Sequence, residues 1–184
     1  MQTQIVFNEA KFKELILYVA SQCKDHPYFG MTELNKILFF SDFLAYKQLG
    51  APITGAEYVA FENGPGTRRL FSISEDMYGY IFVEGLGSQQ RVIALHSPNL
   101  ENFSFGEKAI IDSVIAALNH QDVESVNDFP YKFLGWQAAR AEFMVSERIA
   151  VIPYETVFVS NKLPNDSDIA RAKVLAEKHG WYFK

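Results

Sequence analysis

The segment from Glu62 to Leu70, ENGPGTRRL, holds the residues whose types and spacing come nearest to chemistry. Gly64 and Gly66 flank Pro65, and Arg68 and Arg69 follow at the expected start of a helix. Backbone N–H groups at a helix N-terminus attract anions, and arginine adds charge-assisted donors in a planar fork. That combination suits a phosphate or a carboxylate. The glycine spacing matches no phosphate-binding loop, however, and a tight turn carrying two exposed arginines accounts for the same residues. Other reactive side chains are scattered. His26, His96, His120 and His179 neither pair at metal-ligand spacing nor sit beside a cysteine. Cys23 falls on an amphipathic helix, where a small apolar filler is the expected role. Glu75 and Asp76 are consecutive on a helix, so their carboxylates diverge. No G-x-S-x-G elbow, Walker A loop or dinucleotide fingerprint occurs. No catalytic residue, metal or cofactor is assigned on these grounds, although a triad can assemble from distant positions.

Two further constellations point to surfaces rather than reactions. Thr67 to Leu95 reads as a helix followed by a two-stranded hairpin, the order of a winged helix. The helix carries Glu75 and Asp76 but no base-reading Asn or Gln. Its basic residues are Arg68 and Arg69, with Arg91 in the hairpin. A DNA-binding regulator is thus the alternative reading, with shape in its favour and charge against it. Trp136, with Gly135 before it and Arg140 four residues on, combines residue types enriched in binding hot spots. The competing role is a core tryptophan that packs a helical hairpin. Trp181 is expected to dock the tail helix.

The elements that must position these residues follow from periodicity. Asn8 to Lys24 predicts an amphipathic helix, with Phe12, Leu15, Ile16 and Val19 on one face, Asn8 as N-cap and Phe7 stapled to Phe12. Thr32 is expected to cap a second helix ending near Leu49, before Gly50 and Pro52. Its apolar residues Leu34, Ile37, Leu38, Phe40, Phe43, Leu44 and Leu49 cover most of the circumference, which predicts the central buried helix. GAEYVAF predicts a short strand and NGPG a turn. Thr67 caps a helix through Met77, and YIFVEG and RVIAL form two strands joined by GLGSQQ. Ser104 with Glu107 is a capping box for a helix carrying Ala109, Ile111, Val114, Ile115 and Leu118. Asp122 to Ala141 predicts two short helices broken at Pro130. IPYETVFVS is open between strand and non-strand because Pro153 interrupts its β-branched run. Asn165 or Ser167 caps a last helix through His179.

The 184 residues suit one folding unit, and neither a repeat nor a linker divides the chain, so residues 1–184 are expected to form a single α+β domain, mainly helical, with a small antiparallel β-sheet. With 16 Phe and 9 Tyr, the core or an interface must be rich in aromatic rings. A net charge of −5 disfavours non-specific contact with nucleic acid. The single cysteine excludes an intrachain disulfide. The opening MQTQIVFNEAKF has no apolar export region and no run is long enough for a membrane span, so a cytoplasmic protein with no membrane partner is expected.

LNKILFFSDFLAYKQLGAPITGAEYVAFENGPGTRRL, from Leu34 to Leu70, resembles the Panacea domain, also called the SocA-like antitoxin domain, found in many phage-associated proteins. Lys36, Phe39, Phe40, Tyr46, Gly50, Pro52, Ile53, Tyr58, Gly64 and Pro65 fit its pattern. The resemblance resumes at LGWQAAR, at VIPYETVFVS and at DIARAKVLAEKHGW, so that taken in order it covers most of the chain. It departs after the Gly-Pro pair, where Gly66 and Thr67 stand in place of a small apolar residue and a second proline. It departs again at Asn127 and Asp128, where many members carry Ser-His ahead of the tryptophan.

The resemblance implies an antitoxin that binds a cognate toxin protein, or a proteolytic adaptor that presents a toxin to a cytosolic protease. Neither role needs a catalytic residue or a cofactor, so no enzyme activity is expected. The residues expected at the partner-binding surface are Tyr58, Asn63, Gly64, Pro65, Arg68, Arg69 and Trp136, held by the central helix beneath them.

Overall fold

The computed structural model describes residues 4–86, 89–119 and 133–159. Helix α1, Glu9–Gln22, starts where the sequence places it. The Asn8 side chain accepts the Lys11 amide at 3.0 Å, and the Phe7 and Phe12 rings meet edge to face at 5.5 Å. Helix α2, Met31–Leu49, begins two residues earlier than a Thr32 cap implies. Gly30, not Thr32, is its N-cap, and no side chain closes that end. Gly50 closes the other end at φ 81°, a left-handed conformation that glycine adopts without a Cβ clash.

Helix α2 is the centre of the fold. Every residue from Leu34 to Phe43 is buried, and the helix packs against α1 and against elements described below. Phe39 and Phe43 stack with centroids 4.1 Å apart, and Tyr58, Phe133 and Tyr154 close around them. Burying each such ring contributes about 2 kcal/mol relative to leaving it in water. Leu49, expected on the buried circumference, is instead about half exposed at the last turn.

Strands β1, Val59–Phe61, and β2, Gly64–Gly66, form an antiparallel pair with Val59 opposite Gly66, Ala60 opposite Pro65 and Phe61 opposite Gly64. The turn is therefore Glu62–Asn63 alone, and Gly64 to Gly66 belong to a strand, which corrects the expectation of an NGPG turn. In antiparallel pairs, alternate positions exchange hydrogen bonds. With Phe61 and Gly64 closing a two-residue turn, Pro65 falls at a position that exchanges none, so its missing N–H breaks no ladder bond. Val59 also bridges Val151 on its other side, and the Ile152 amide donates to the Tyr58 carbonyl at 2.8 Å.

Helix α3, Arg69–Asp76, precedes a hairpin of β3, Ile81–Leu86, and β4, Gln89–Ala94. Thr67 Oγ1 accepts the Arg69 amide at 3.2 Å, in keeping with its expected capping role. A 3-10 turn at Leu100–Asn102 leads to α4, Phe105–Asn119, which packs on α2. Its capping box is fully formed. Ser104 Oγ accepts the Glu107 amide at 3.2 Å, and the Ser104 amide donates to Glu107 at 2.8 Å. The other Glu107 oxygen takes Lys11 Nζ at 2.6 Å, which ties α4 to α1.

Helix α5, Leu134–Ser146, runs five residues past Ala141 and ends at Glu147, whose φ is 56°. The ambiguous segment, 152–160, holds a 3-10 turn at Tyr154–Phe158 with a single bridge at Val151 just before it, so Pro153 acts as an entry residue and no full strand forms among its described residues. The break at Pro130, the Asn127–Asp128 departure, the last helix and Trp181 lie outside the described residues. The described elements make a mainly helical α+β fold with two small antiparallel sheets.

Candidate functional site

The surface around the Glu62–Asn63 turn is built on α2. Asn35, on the buried side of that helix, donates through Nδ2 to the Met31 carbonyl at 3.1 Å and accepts the Thr67 amide through Oδ1 at 3.0 Å. One carboxamide therefore fixes both its own helix and the segment that enters α3. The Thr67 N–H is needed for this, and a proline there could not supply it. That is a physical account of Thr67 standing where a second proline is usual. Gly66 has a matching reason. A Cβ added to it would lie 2.8 Å from Asn35 Oδ1 and 2.9 Å from the Phe61 ring, closer than real contacts allow. We therefore expect Gly66→Ala to cost about 2 kcal/mol. Chemical denaturation reads this directly, and an unchanged midpoint would show that Asn35 yields freely.

Seven residues were expected at the partner surface, and the structure divides them. Asn63 lies exposed in the turn, and Arg68 and Arg69 lie exposed at the start of α3. Gly64, at φ 120°, and Pro65 are buried beneath them. Tyr58 points into the core, 1% exposed, with its hydroxyl 2.9 Å from Asp42. Trp136 is 8% exposed within the same core, on the α5 helix that packs on β1. Tyr58 and Trp136 therefore support this surface from behind.

Between the start of β1 and α3 lies a pocket of about 170 Å³, lined by Glu57, Val59, Thr67, Arg68 and Arg69. Val59 and Thr67 form its buried floor, and the charged residues form its rim. The two arginines are not equivalent. Arg69 holds its guanidinium 4.1 Å above the Phe7 ring, a cation–π contact that fixes it to the start of α1. Arg68 has no side-chain hydrogen bond or ion pair among the described residues, and neither does Glu57. Each offers an unspent charge to whatever enters the pocket. Glu57 went unassigned in the sequence because an isolated acidic residue before a strand carries no signal.

Behind the pocket sits a second feature that motif reading passed over. Asp42, on α2, is fully buried. It accepts the Thr54 amide at 2.7 Å, Thr54 Oγ1 at 2.5 Å and the Tyr58 hydroxyl at 2.9 Å. The Tyr154 hydroxyl approaches at 3.4 Å while donating to the Ala56 carbonyl at 2.7 Å. Burial pushes the Asp42 carboxyl above its ordinary range, and the Thr54 and tyrosine hydrogen bonds pull it partly back. The Tyr58 phenol is pushed well up, first by burial and then by the neighbouring Asp42. The signal for Asp42 was present: it is a carboxylate inside the otherwise apolar run ILFFSDFLAY. Buried and hydrogen-bonded in this way, the cluster has the form of a structural polar knot that holds Tyr58 and the base of β1 in place. Among the described residues no group of three His, Cys, Asp or Glu is placed to hold a metal ion, and no helix is long and apolar enough to cross a membrane.

The family model for the SocA-like antitoxin, Panacea domain, matches residues 34–137. The match opens at Leu34, in the central helix, and closes at Gln137, inside the Leu134–Arg140 motif. It spans α2, the turn, the pocket and the first residues of α5. No curated protein and no solved structure matches the chain.

Proposed function

The chain belongs to the SocA-like antitoxin family with a Panacea domain, and on that premise we propose that it neutralises a cognate toxin by direct binding at the surface formed by Asn63, the Gly64–Pro65 strand and Arg68. The observation that carries this placement is the pocket between β1 and α3, rimmed by two charges that have no side-chain partner among the described residues and floored by buried Val59 and Thr67. Binding sites need rigidity beneath and unspent polar groups above. The Asn35 bridge and the Asp42 knot supply the first, and Arg68 and Glu57 the second. Neutralisation in this way asks for no bond-making chemistry and no cofactor. Delivery of the bound toxin to a cytosolic protease is a compatible outcome of the same contact, and it would appear as a shortened toxin half-life.

The test is co-expression with the neighbouring gene. That gene should be toxic alone and harmless beside this chain. Arg68→Ala should weaken rescue, with a loss of about tenfold or more in toxin affinity, while leaving the melting temperature unchanged because the Arg68 side chain is exposed and makes no side-chain hydrogen bond or ion pair among the described residues. A harmless neighbour would sink the antitoxin reading. Full rescue by the Arg68 variant would move the docking surface elsewhere.

The winged-helix reading has one observation in its favour, since α3 is followed by the β3–β4 hairpin. The surface chemistry works against it. The Arg91 guanidinium is engaged with the Lys24 carbonyl, Arg69 with Phe7, and the exposed residues around the hairpin include the aromatic Tyr78, Tyr80 and Phe82. Phosphate backbones require a row of free cations. A gel shift with the upstream DNA, read for a steep salt dependence, separates the two readings.

A further inference from the structure

We propose that the pocket between β1 and α3 recognises a carboxylate side chain, an Asp or Glu of the partner, and that Glu57 excludes doubly charged anions such as phosphate. The inference rests on the docking surface proposed above and names the chemistry it selects. Its basis is the local charge balance. Five residues line the pocket, and three of them are charged. Arg69 is committed to the Phe7 ring at 4.1 Å, and its charge also lies close enough to help hold the Glu9 carboxyl below its usual range, after the larger effect of Lys13. Arg68 therefore remains, among the described residues, the rim arginine without a side-chain contact, and Glu57 lines the same small space.

A guanidinium fork matches a planar carboxylate with two parallel hydrogen bonds. One free arginine is enough for a single negative charge. The three rim charges leave a net single positive charge, which one carboxylate neutralises, whereas a phosphate would bring nearly two negative charges and leave an excess facing the Glu57 carboxylate. The floor adds a second criterion. Buried Val59 gives the methylenes of an acidic side chain an apolar surface, which a bare inorganic anion cannot use. The volume, about 170 Å³, is that of one side chain and not of a nucleotide.

The experiment uses the full chain, labelled with ¹⁵N, and three probes: N-acetyl-glutamate methylamide, its glutamine counterpart and inorganic phosphate. The glutamate probe should give saturable shifts at Val59, Thr67 and Arg68, and the glutamine probe should bind at least tenfold more weakly. Phosphate should give none in the native protein. Arg68→Gln should abolish the glutamate response. Glu57→Gln should strengthen that response and admit phosphate as well. Both side chains are exposed, so neither change threatens folding, and the unshifted remainder of each spectrum verifies it. Equal responses to glutamate and glutamine, a stronger response to phosphate than to glutamate, or no response to any probe would overturn the proposal. Co-expression keeps this failure distinct from failure of the antitoxin reading. If the native chain rescues and the Arg68→Gln chain rescues equally, the pocket assignment alone falls. If the native chain does not rescue, the broader reading falls with it.

Discussion

Replacing Asp42 with alanine should lower stability by about 4 kcal/mol, a large share of the roughly 5–15 kcal/mol that holds a domain of this kind together. The carboxylate is fully buried and receives the Thr54 amide, the Thr54 hydroxyl and the Tyr58 hydroxyl. Alanine leaves the Thr54 N–H and the Tyr58 O–H in an apolar interior with no acceptor, at about 1–3 kcal/mol each. Asp42→Asn should cost less, about 1–2 kcal/mol, because the amide keeps one acceptor and the hydroxyls can turn to accept from its NH₂. The pair also predicts a pH signature. Burial raises Asp42 in the folded state above the ordinary value of 3.8. Above 3.8 the unfolded chain has released this proton while the folded chain still holds it. The folded state then binds more protons, so this group's contribution to stability falls as pH rises through that window. Urea melts across pH should show this slope in the native protein and lose it in Asp42→Asn. Identical slopes would remove Asp42 as its source.

Trp136→Ala should be the second severe change, at about 3–5 kcal/mol and a fall of roughly 10 °C in melting temperature. Trp136 is 8% exposed and belongs to the main hydrophobic cluster. Its neighbour Gly135 lies so close to Thr156 and Phe133 that a Cβ would collide with both, so α5 is tightly seated. Loss of toxin binding in this variant would follow from loss of the fold. Calorimetry beside a binding measurement decides the matter. An unchanged melting temperature with lost binding would make Trp136 a surface anchor and overturn its place in the core.

Much of the fold was legible because it rests on local physics. Asn8 with Phe7 and Phe12, and Ser104 with Glu107, are short-range devices in which the residue types alone dictate partners three to five positions away. The central helix was legible because its apolar residues surround it on most sides. Errors arose where tertiary contact overrides a local preference. Pro65 and its flanking glycines signal a turn, yet pairing with β1 and the closeness of Asn35 draw them into a strand. Pro153 leads into a 3-10 turn whose Tyr154 reaches the Asp42 cluster. The surface residues were half legible. Arg68 and Asn63 were visible as polar residues at a turn. The inward direction of Tyr58 and Trp136 was not, because an aromatic residue suits an interface and a core equally well.

The partners of Asp42 differ greatly in how far along the chain they lie. Thr54 and Tyr58 follow it by 12 and 16 residues, whereas Tyr154 follows by 112. Closing the short loops costs little entropy, and closing the long one must wait for most of the polypeptide. On the ribosome, the central helix can thus acquire two of its polar companions soon after it emerges, and the third arrives only 112 residues after Asp42. A truncated product that stops before Tyr154 would carry a half-dressed carboxylate at its heart.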